Sequence, residues 1–422
     1  MTELLQTLTT TIAVGSLYAL LALGYTLVYG VLKFINFAHS DIFVLGAWTT
    51  FTAANVLTDR LGINPTQSPW WGAVLILLLT IAVCATVGYL IERFAYRPLR
   101  KAPRLNVLIT AIGVSLLLQN LGQLNGRVTI ATDKDGRPTA TLPFGSTPRS
   151  MPPLLPDLVL NETVLSQGTL AGGTQRGLVK LDQPLTMLDG RTYRIEFTRT
   201  ADGQPRREVL ALTAPAGTFP PGTDLATQPR RSPAEVDGLP YSLIRSPRVP
   251  IMLVDVVIVA VAVTLMLGLE FLVFRTRLGR AMRALSFNIE NAALMGINVN
   301  AVISFTFVLG TALAAAAAFL YPLKYPGLNQ PAHQIWVLLG LKAFIAAVVG
   351  GIGNIRGAVL GGFLIAGIEF FGTLYGDKVF ISLGARPGLG TSLADVYVFS
   401  ILILVLLVKP NGLLGSPVKE KV

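Results

Sequence analysis

Long apolar runs broken by short basic loops fill both ends of the chain, and a polar stretch of different texture separates them. Nine runs stand out as candidate membrane segments, at about 8–32, 42–57, 71–91, 105–124, 251–274, 301–321, 335–351, 357–375 and 393–408. A helix needs roughly 20 apolar residues to cross a bilayer core. The second and seventh runs are short or interrupted by glycine, which reads as broken or re-entrant helix, so the expected number of helices is eight to ten. Residues 125–248 instead turn to Gly, Pro, Thr and Arg. Alternating stretches at 192–200 and 208–213 predict strands, with Asp-Gly turns at Asp189-Gly190 and Asp202-Gly203 and Pro-rich flanks at 143–156 and 215–240.

The predicted architecture is therefore an all-α polytopic membrane protein carrying a small β-rich insert. Its parts are an N-terminal membrane half (1–124), the insert (125–248) and a C-terminal membrane half (249–422) with a polar loop at 275–298. A weak internal repeat runs through the two halves. Ala38-His39 and Ala332-His333 have the same spacing as Leu45-Gly46 and Leu339-Gly340, and both stretches read helix, short loop, helix. An inverted-topology repeat would give this pattern; so would coincidence, and both readings stand.

Composition agrees with the pattern. The chain is 52% hydrophobic and 14% charged, with mean hydropathy +0.60. Soluble chains carry about 25% charged residues, so a soluble enzyme and a disordered chain are both excluded. The net charge of +11 does not point to nucleic acid, because the basic residues crowd short loops. If the nine segments alternate, Lys33, the cluster Arg93, Arg97, Arg100, Lys101 and Arg104, the cluster Arg275, Arg277, Arg280 and Arg283, then Arg356, Lys409, Lys419 and Lys421 all fall on one side. The other side has only Arg60, Lys324, Lys378 and Arg386. That asymmetry orients the N-terminus and the insert outside and the C-terminus in the cytoplasm. Met1 to Gln6 lacks the basic residues of a cleavable signal peptide. Cys84 is the single cysteine, so the insert folds without disulfides.

No phosphate-binding glycine loop occurs, and two histidines with one cysteine make no metal or nucleophile cluster. The expectation is a non-enzymatic protein without cofactor or metal, energised by a partner or an ion gradient. Loop 275–298 is too polar to span and too helix-prone for a passive linker. Ala281, Ala284, Leu285 and Asn288 recur at helical spacing, as do Ala292 and Met295, and Gly296 is placed to stop the helix. Such a surface helix suits either a motor subunit or an anionic lipid surface.

Ionisable groups inside apolar segments are costly and usually face a cavity or one another. Lys342 and Glu369 lie at nearly equal distances from the turn at Asn354-Ile355, so an antiparallel hairpin sets them at one depth and predicts a pair or a shared polar network. A Lys that snorkels outward is the alternative. Gln119 and Asn120 serve either a zwitterionic ligand or helix–helix hydrogen bonding. Asn36 and His39 are expected at the inner membrane face, where loop-ordering hydrogen bonds are favoured over proton transfer. Gly350, Gly351, Gly353, Gly357, Gly361 and Gly362 suit close helix approach.

The 275–298 loop resembles the ATPase-contacting loop of permease subunits in bacterial ABC importers for branched-chain amino acids. Gly15-Ser-Leu-Tyr-Ala-Leu20, Asn36-Phe-Ala-His39, Glu92-Arg-Phe-Ala-Tyr-Arg-Pro-Leu-Arg100, Leu108-Ile-Thr-Ala-Ile-Gly-Val-Ser115 with Gln119-Asn120, Lys342-Ala-Phe through Gly350-Gly-Ile-Gly353, and Lys409-Pro-Asn-Gly-Leu-Leu-Gly415 are similar to the same family. The resemblance implies a permease subunit in a bacterial inner membrane, paired with a second permease, two ATPase subunits that bind the ATP, and an extracytoplasmic binding protein. It implies that Arg280, Arg283, Asn288, Glu290, Ala292 and Gly296 belong to the ATPase-coupling loop. It leaves Lys342, Glu369, Gln119, Asn120, Asn36 and His39 as candidates for the path or its polar network. The insert is longer than the family's usual loop, and Ser40-Asp41 stands where the family commonly has Gly-Glu. Urea and short-amide importers share the fold and remain an alternative, as do an ion-coupled transporter using Lys342 and Glu369 and a membrane-anchored sensor whose insert binds the ligand.

Overall fold

Each of the nine apolar runs is helical in the computed structural model, which describes residues 2–60, 71–100, 102–124, 128–132, 136, 138–142, 149–150, 154–156, 158–189, 191–201, 204–325, 327–328 and 334–415. Asp202-Gly203, Gly190, most of the 143–156 flank, the Ala332-His333 half of the repeat, Lys101, Lys419 and Lys421 lie outside the described residues. The chain divides into two compact units: Met1–Gln6 with Leu158–Leu253, and Thr7–Asp157 with Val254–Val422.

The first half contributes α1 (Thr2–Leu32), α2 (His39–Asn55), α3 (Trp71–Ile91) and α4 (Arg104–Gln123). π-helical turns at Val56–Arg60 and Glu92–Tyr96 extend α2 and α3. A helix that is apolar all round belongs in an interior, and α1 is buried from Ala13 to Val28. By contrast α4 buries only a narrow stripe that includes Val107 and Ala111. Lys33, at φ 57°, turns the chain sharply after α1.

The polar stretch holds β1 (Val128–Thr132), β2 (Pro138–Leu142), β3 (Arg149–Ser150), β4 (Thr163–Gly172), β5 (Leu178–Leu181), β6 (Leu185–Met187), β7 (Tyr193–Ala201), β8 (Gln204–Leu212), β9 (Gly217–Phe219), β10 (Asp224–Gln228), the single turn α5 (Pro233–Val236) and β11 (Pro240–Arg245). Six strands close an antiparallel barrel in the order β10-β5-β4-β11-β7-β8. The alternation read from the sequence is its cause: Tyr193, Ile195 and Phe197 of β7, Leu210 and Leu212 of β8, and Tyr241 and Leu243 of β11 point into one apolar core. Residues 125–248 are divided between the two compact units. The β1–β2 hairpin belongs with the helical unit, where Thr139 Oγ1 donates to Asp59 Oδ2 at 2.5 Å.

The second half runs through α6 (Leu253–Arg275), α7 (Arg277–Phe287), α8 (Ile289–Leu294), α9 (Val299–Lys324), β12 (Gly327–Leu328, paired with β3), α10 (Gln334–Gly350), α11 (Ile355–Ser382), α12 (Leu389–Ser392) and α13 (Ala394–Val408). Among the described residues, six helices are long and apolar enough to cross a membrane: Thr2–Leu32, Trp71–Leu99, Leu105–Gly122, Leu253–Arg275, Val299–Lys324 and Ile355–Ser382. The shorter α2 and α10 are the two runs expected to be broken or re-entrant.

Small residues set the helix contacts. α1 crosses α9 at Gly24 and Gly310, where a Cβ on Gly24 would sit 2.9 Å from the Gly310 carbonyl oxygen. At Gly361 of α11 a Cβ would fall 1.9 Å from the Ala346 carbonyl oxygen of α10, so that hairpin closes only around glycine. The loops join at one end of the helical unit. Gly30 approaches Gly353, Asn354 Nδ2 donates to the Leu414 carbonyl, Arg356 donates twice to Glu270 Oε1, and the turn after α3 is bonded to the start of α9. At the opposite end Lys324 Nζ meets Asp255 Oδ1 at 2.5 Å.

Candidate functional site

Lys342 of α10 reaches Glu369 Oε1 of α11 at 2.7 Å across the hairpin. The same ammonium lies 2.7 Å from Asp395 Oδ1 in the first turn of α13, and the Tyr18 hydroxyl of α1 donates to Glu369 Oε2 at 2.7 Å. One cation thus holds two carboxylates from different helices, and one phenol completes the hydrogen bonding of the more buried acid. In an apolar setting such a cluster is stable only as a set, because each charge left alone would carry the desolvation cost by itself. Asp395 and Tyr18 were not legible as members. Asp395 stands just inside an apolar run, a signal of the kind that singled out Lys342, but no hairpin symmetry assigns it a depth.

Gln119 belongs to a different network. Its Nε2 donates to Asp41 Oδ1 at 2.9 Å and to Ser115 Oγ at 3.1 Å, tying α4 to α2. Asn120 points away, is exposed, and donates to the Leu116 carbonyl of its own helix. The two adjacent amides therefore share no partner with Lys342.

Asn36 and His39, expected at the inner membrane face, are both buried within the helical unit. His39, fully buried, stacks edge-on to Tyr25 at 4.5 Å between ring centroids, and a Cβ on Gly24 would lie 2.3 Å from its Nε2. Gly24 precedes the end of α1 by eight residues, about 12 Å of helix. The chain turns at Lys33, re-enters the bundle and starts α2 inside it, since only the missing side chain at Gly24 makes room for the imidazole. Asn36 Oδ1 accepts the Tyr96 hydroxyl at 2.6 Å.

The 275–298 loop was expected as one helix and is two. Thr276 caps α7 by accepting the Gly279 N–H at 3.1 Å. Asn288 then takes an extended conformation, ends α7, and caps α8 by accepting the Asn291 N–H at 2.9 Å. An Asn side chain that bonds the backbone competes with continued helix, which explains the break. Gly296, at φ 79°, follows α8 in the left-handed region that glycine tolerates, and Asn298 caps α9. Met282, Leu285 and Ala292 are buried, whereas Phe287, Leu294 and Met295 are 91%, 85% and 84% exposed. The Arg283 guanidinium lies over the Phe274 ring at 5.3 Å. Arg280, like Glu290, is exposed. The pair of helices is thus a basic ledge with three bare apolar side chains.

A fifth feature escaped the sequence reading. Glu92, fully buried in the π-helical turn, accepts hydrogen bonds from Arg100 and from Ser304 Oγ of α9, while Arg100 Nη1 donates to Asn300 Oδ1 at 2.7 Å. Arg100 had counted only as a loop charge. An acid just past an apolar run with a base eight residues on was the available signal.

The family model for the branched-chain amino acid transport system permease component matches residues 7–160 and 223–408, both membrane halves. The chain belongs to that permease family. The stretch the model skips, 161–222, falls within the barrel unit. This permease is 33% identical to the high-affinity branched-chain amino acid transport system permease protein BraD of Pseudomonas aeruginosa, over 99% of this chain and 98% of the relative. It is 30% identical to LivH of Escherichia coli, which carries the same description, over 99% and 97%. The xylose transport system permease protein XylH of Escherichia coli is 28% identical over 40% of each chain. No solved structure matches the permease.

Proposed function

We propose that this permease is the membrane-spanning subunit of an ATP-driven importer that moves branched-chain or related hydrophobic amino acids into the cytoplasm. The observation that carries the reading is the near-full-length similarity to BraD and LivH, with both membrane halves inside the family model. XylH, named for xylose, is similar over a much smaller share.

In this reading a separate ATPase docks on the α7–α8 ledge. Basic residues there suit an acidic or polar rim, and Phe287, Leu294 and Met295 suit apolar pockets. Two ATPase subunits, a second permease and an extracytoplasmic binding protein complete the complex, and the ATP is bound by the ATPases. The end bearing Lys33, Arg93, Arg97, Arg280, Arg283, Arg356 and Lys409 is the cytoplasmic one, as basic loops favour. The insert, entered from the far end of α4, is then extracytoplasmic. Substrate affinity resides largely in the binding protein, so the path itself needs few charged contacts.

Co-expression and purification test this. The permease retains an ATPase through detergent extraction, and reconstituted vesicles hydrolyse ATP faster when amino acid and binding protein are added. Arg283→Glu and Phe287→Asp abolish the retention while leaving the permease folded. Uptake by the permease alone in ATP-free vesicles overturns the reading in favour of an ion-coupled carrier.

A further inference from the structure

One hydrogen-bonded route leaves the docking ledge and ends at the point where α2 starts inside the bundle. It begins where Ile297 N–H donates to the Ala292 carbonyl at 3.1 Å and Asn298 caps α9, so α8 and the first turn of α9 move together. Asn300 and Ser304, in the first two turns of α9, are held by Arg100 and Glu92. Four residues beyond Glu92, in the same π-helical turn, Tyr96 is 1% exposed; its ring packs on Phe307 of α9 at 5.5 Å and on Phe34 at 5.4 Å. Its hydroxyl donates to Asn36 Oδ1 at 2.6 Å, and the Asn36 carbonyl accepts the His39 N–H at 3.2 Å, the first residue of α2.

We infer that Glu92, Tyr96 and Asn36 form a relay that transmits displacement of the α7–α8 ledge to the buried start of α2, and so couples ATP hydrolysis to opening of the path. The inference rests on the ATPase docking proposed above. Three features favour a working part over a static brace. The π-helical turn lies at the end of α3, before the 3₁₀ turn Arg97–Leu99, and π-helical turns are frequent at functional sites. Glu92 is a fully buried acid whose oxygens are divided between Arg100 and Ser304 of α9, so a small shift of α9 changes the hydrogen bonding of a buried charge. Asn36 Nδ2 is buried with no partner among the described residues. Such an unmet donor is costly, so the 33–38 turn is held with an unfavourable contact that a shift of the turn would relieve. The members are positioning residues; none needs to touch the transported molecule.

The complete transporter, reconstituted in vesicles with its ATPases and binding protein, provides the test, with ATP hydrolysed and amino acid accumulated measured together. Tyr96→Phe removes one hydroxyl and keeps the ring contacts; Ser304→Ala removes one donor to Glu92. Both variants are expected to assemble and to hydrolyse ATP within about twofold of the parent, while amino acid moved per ATP falls about fivefold, the scale of one lost internal hydrogen bond. The double variant Tyr96→Phe with Asn36→Ala is expected to be no worse than the worse single one, because both cut the same link. Parallel loss of hydrolysis and transport overturns the relay in favour of a structural brace, and an unchanged ratio overturns it outright. If the unaltered chain binds no ATPase, the docking proposal fails instead, and the two failures are distinct.

Discussion

Lys342 in the helical unit and Arg194 in the barrel each hold two carboxylates, and the two triads differ in how they are built. Arg194 Nη2 meets Glu162, and Glu196 Oε1 at 3.0 Å. Glu196 stands two residues along the same strand, so the pleat places both side chains on one face. Lys342 instead joins three helices, through Glu369 of α11 and Asp395 of α13. Exposure is distributed in opposite ways: in the barrel the cation is 26% exposed and its acids Glu162 and Glu196 only 10% and 9%, whereas Lys342 and Glu369 are 12% and 14% exposed and Asp395 is 45% exposed. Similar chemistry therefore has unequal consequences: the barrel triad keeps two shielded acids together on one sheet face, and the helical triad ties α10, α11 and α13 to one another.

Removing the cation sharpens that contrast most. Lys342→Met leaves Glu369, 14% exposed, without its cation, and is expected to cost up to about 3 kcal/mol, the low end for a buried pair, because Asp395 is 45% exposed. Arg194→Met leaves Glu162 and Glu196, 10% and 9% exposed, side by side without a cation, and is expected to cost about 3–5 kcal/mol. Hydrogen exchange of the full chain in detergent reads each unit separately: β7 loses protection most in the second variant, and α10 and α11 lose less in the first. Combining Lys342→Met with Glu369→Gln and Asp395→Asn restores much of the lost protection. Equal losses in the two units would erase the distinction.

These contrasts also mark what the sequence carries. The strands of the barrel were legible because alternation at 193–197 and 208–212 has period two and nothing else competes with it. The depth match of Lys342 and Glu369 was legible because a hairpin is symmetric about its turn. Asp395 was not, since its approach depends on how α13 packs against α10. Nor was the re-entry before α2: it follows from the space left by Gly24 and from Lys33 in the left-handed region, and neither leaves a periodic trace. The break at Asn288 was hidden by helical spacing that continues through it, because local side-chain capping overrides spacing. Residues 125–248 looked like one insert on composition alone, but the β1–β2 hairpin shares the helical unit through Asp59.

A second comparison is finer. Two tyrosines each donate to a carboxylate: Tyr18 to Glu369 at 2.7 Å in the helical unit, and Tyr241 to Asp182 at 2.9 Å in the barrel. Tyr18→Phe strips a donor from a buried acid, and hydrogen bonds to charged groups contribute about 1.5–3 kcal/mol. Tyr241→Phe touches an acid that water reaches, and is expected to cost less than about 1 kcal/mol. Thermal unfolding of the full chain, read by exchange at α11 for one and β11 for the other, gives the ranking; a reversed order would mean that solvent access does not set the worth of these bonds.

The smallest expected effect is in the pH response of the barrel. The Thr169 N–H, donating at 2.9 Å, and then the Tyr241 hydroxyl hold the Asp182 carboxyl below the usual carboxylate range. A group depressed on folding adds stability above its unfolded pKa and loses it as pH falls through the folded one. Protection at the Thr169 amide, corrected for intrinsic exchange, is therefore expected to be level from neutral pH down to about pH 4 and to fall below it. Asp182→Asn removes that acid limb and costs under about 0.5 kcal/mol, because the carboxylate is exposed and screened. The alkaline side behaves oppositely. Burial, and then the bond to Asp182, push the Tyr241 phenol up to about 12. Its contribution is complete below the ordinary phenol value of about 10 and is lost as pH rises through the higher one. Replacing Asp182 by Asn narrows that alkaline margin but does not abolish it, since burial of the ring is the larger cause.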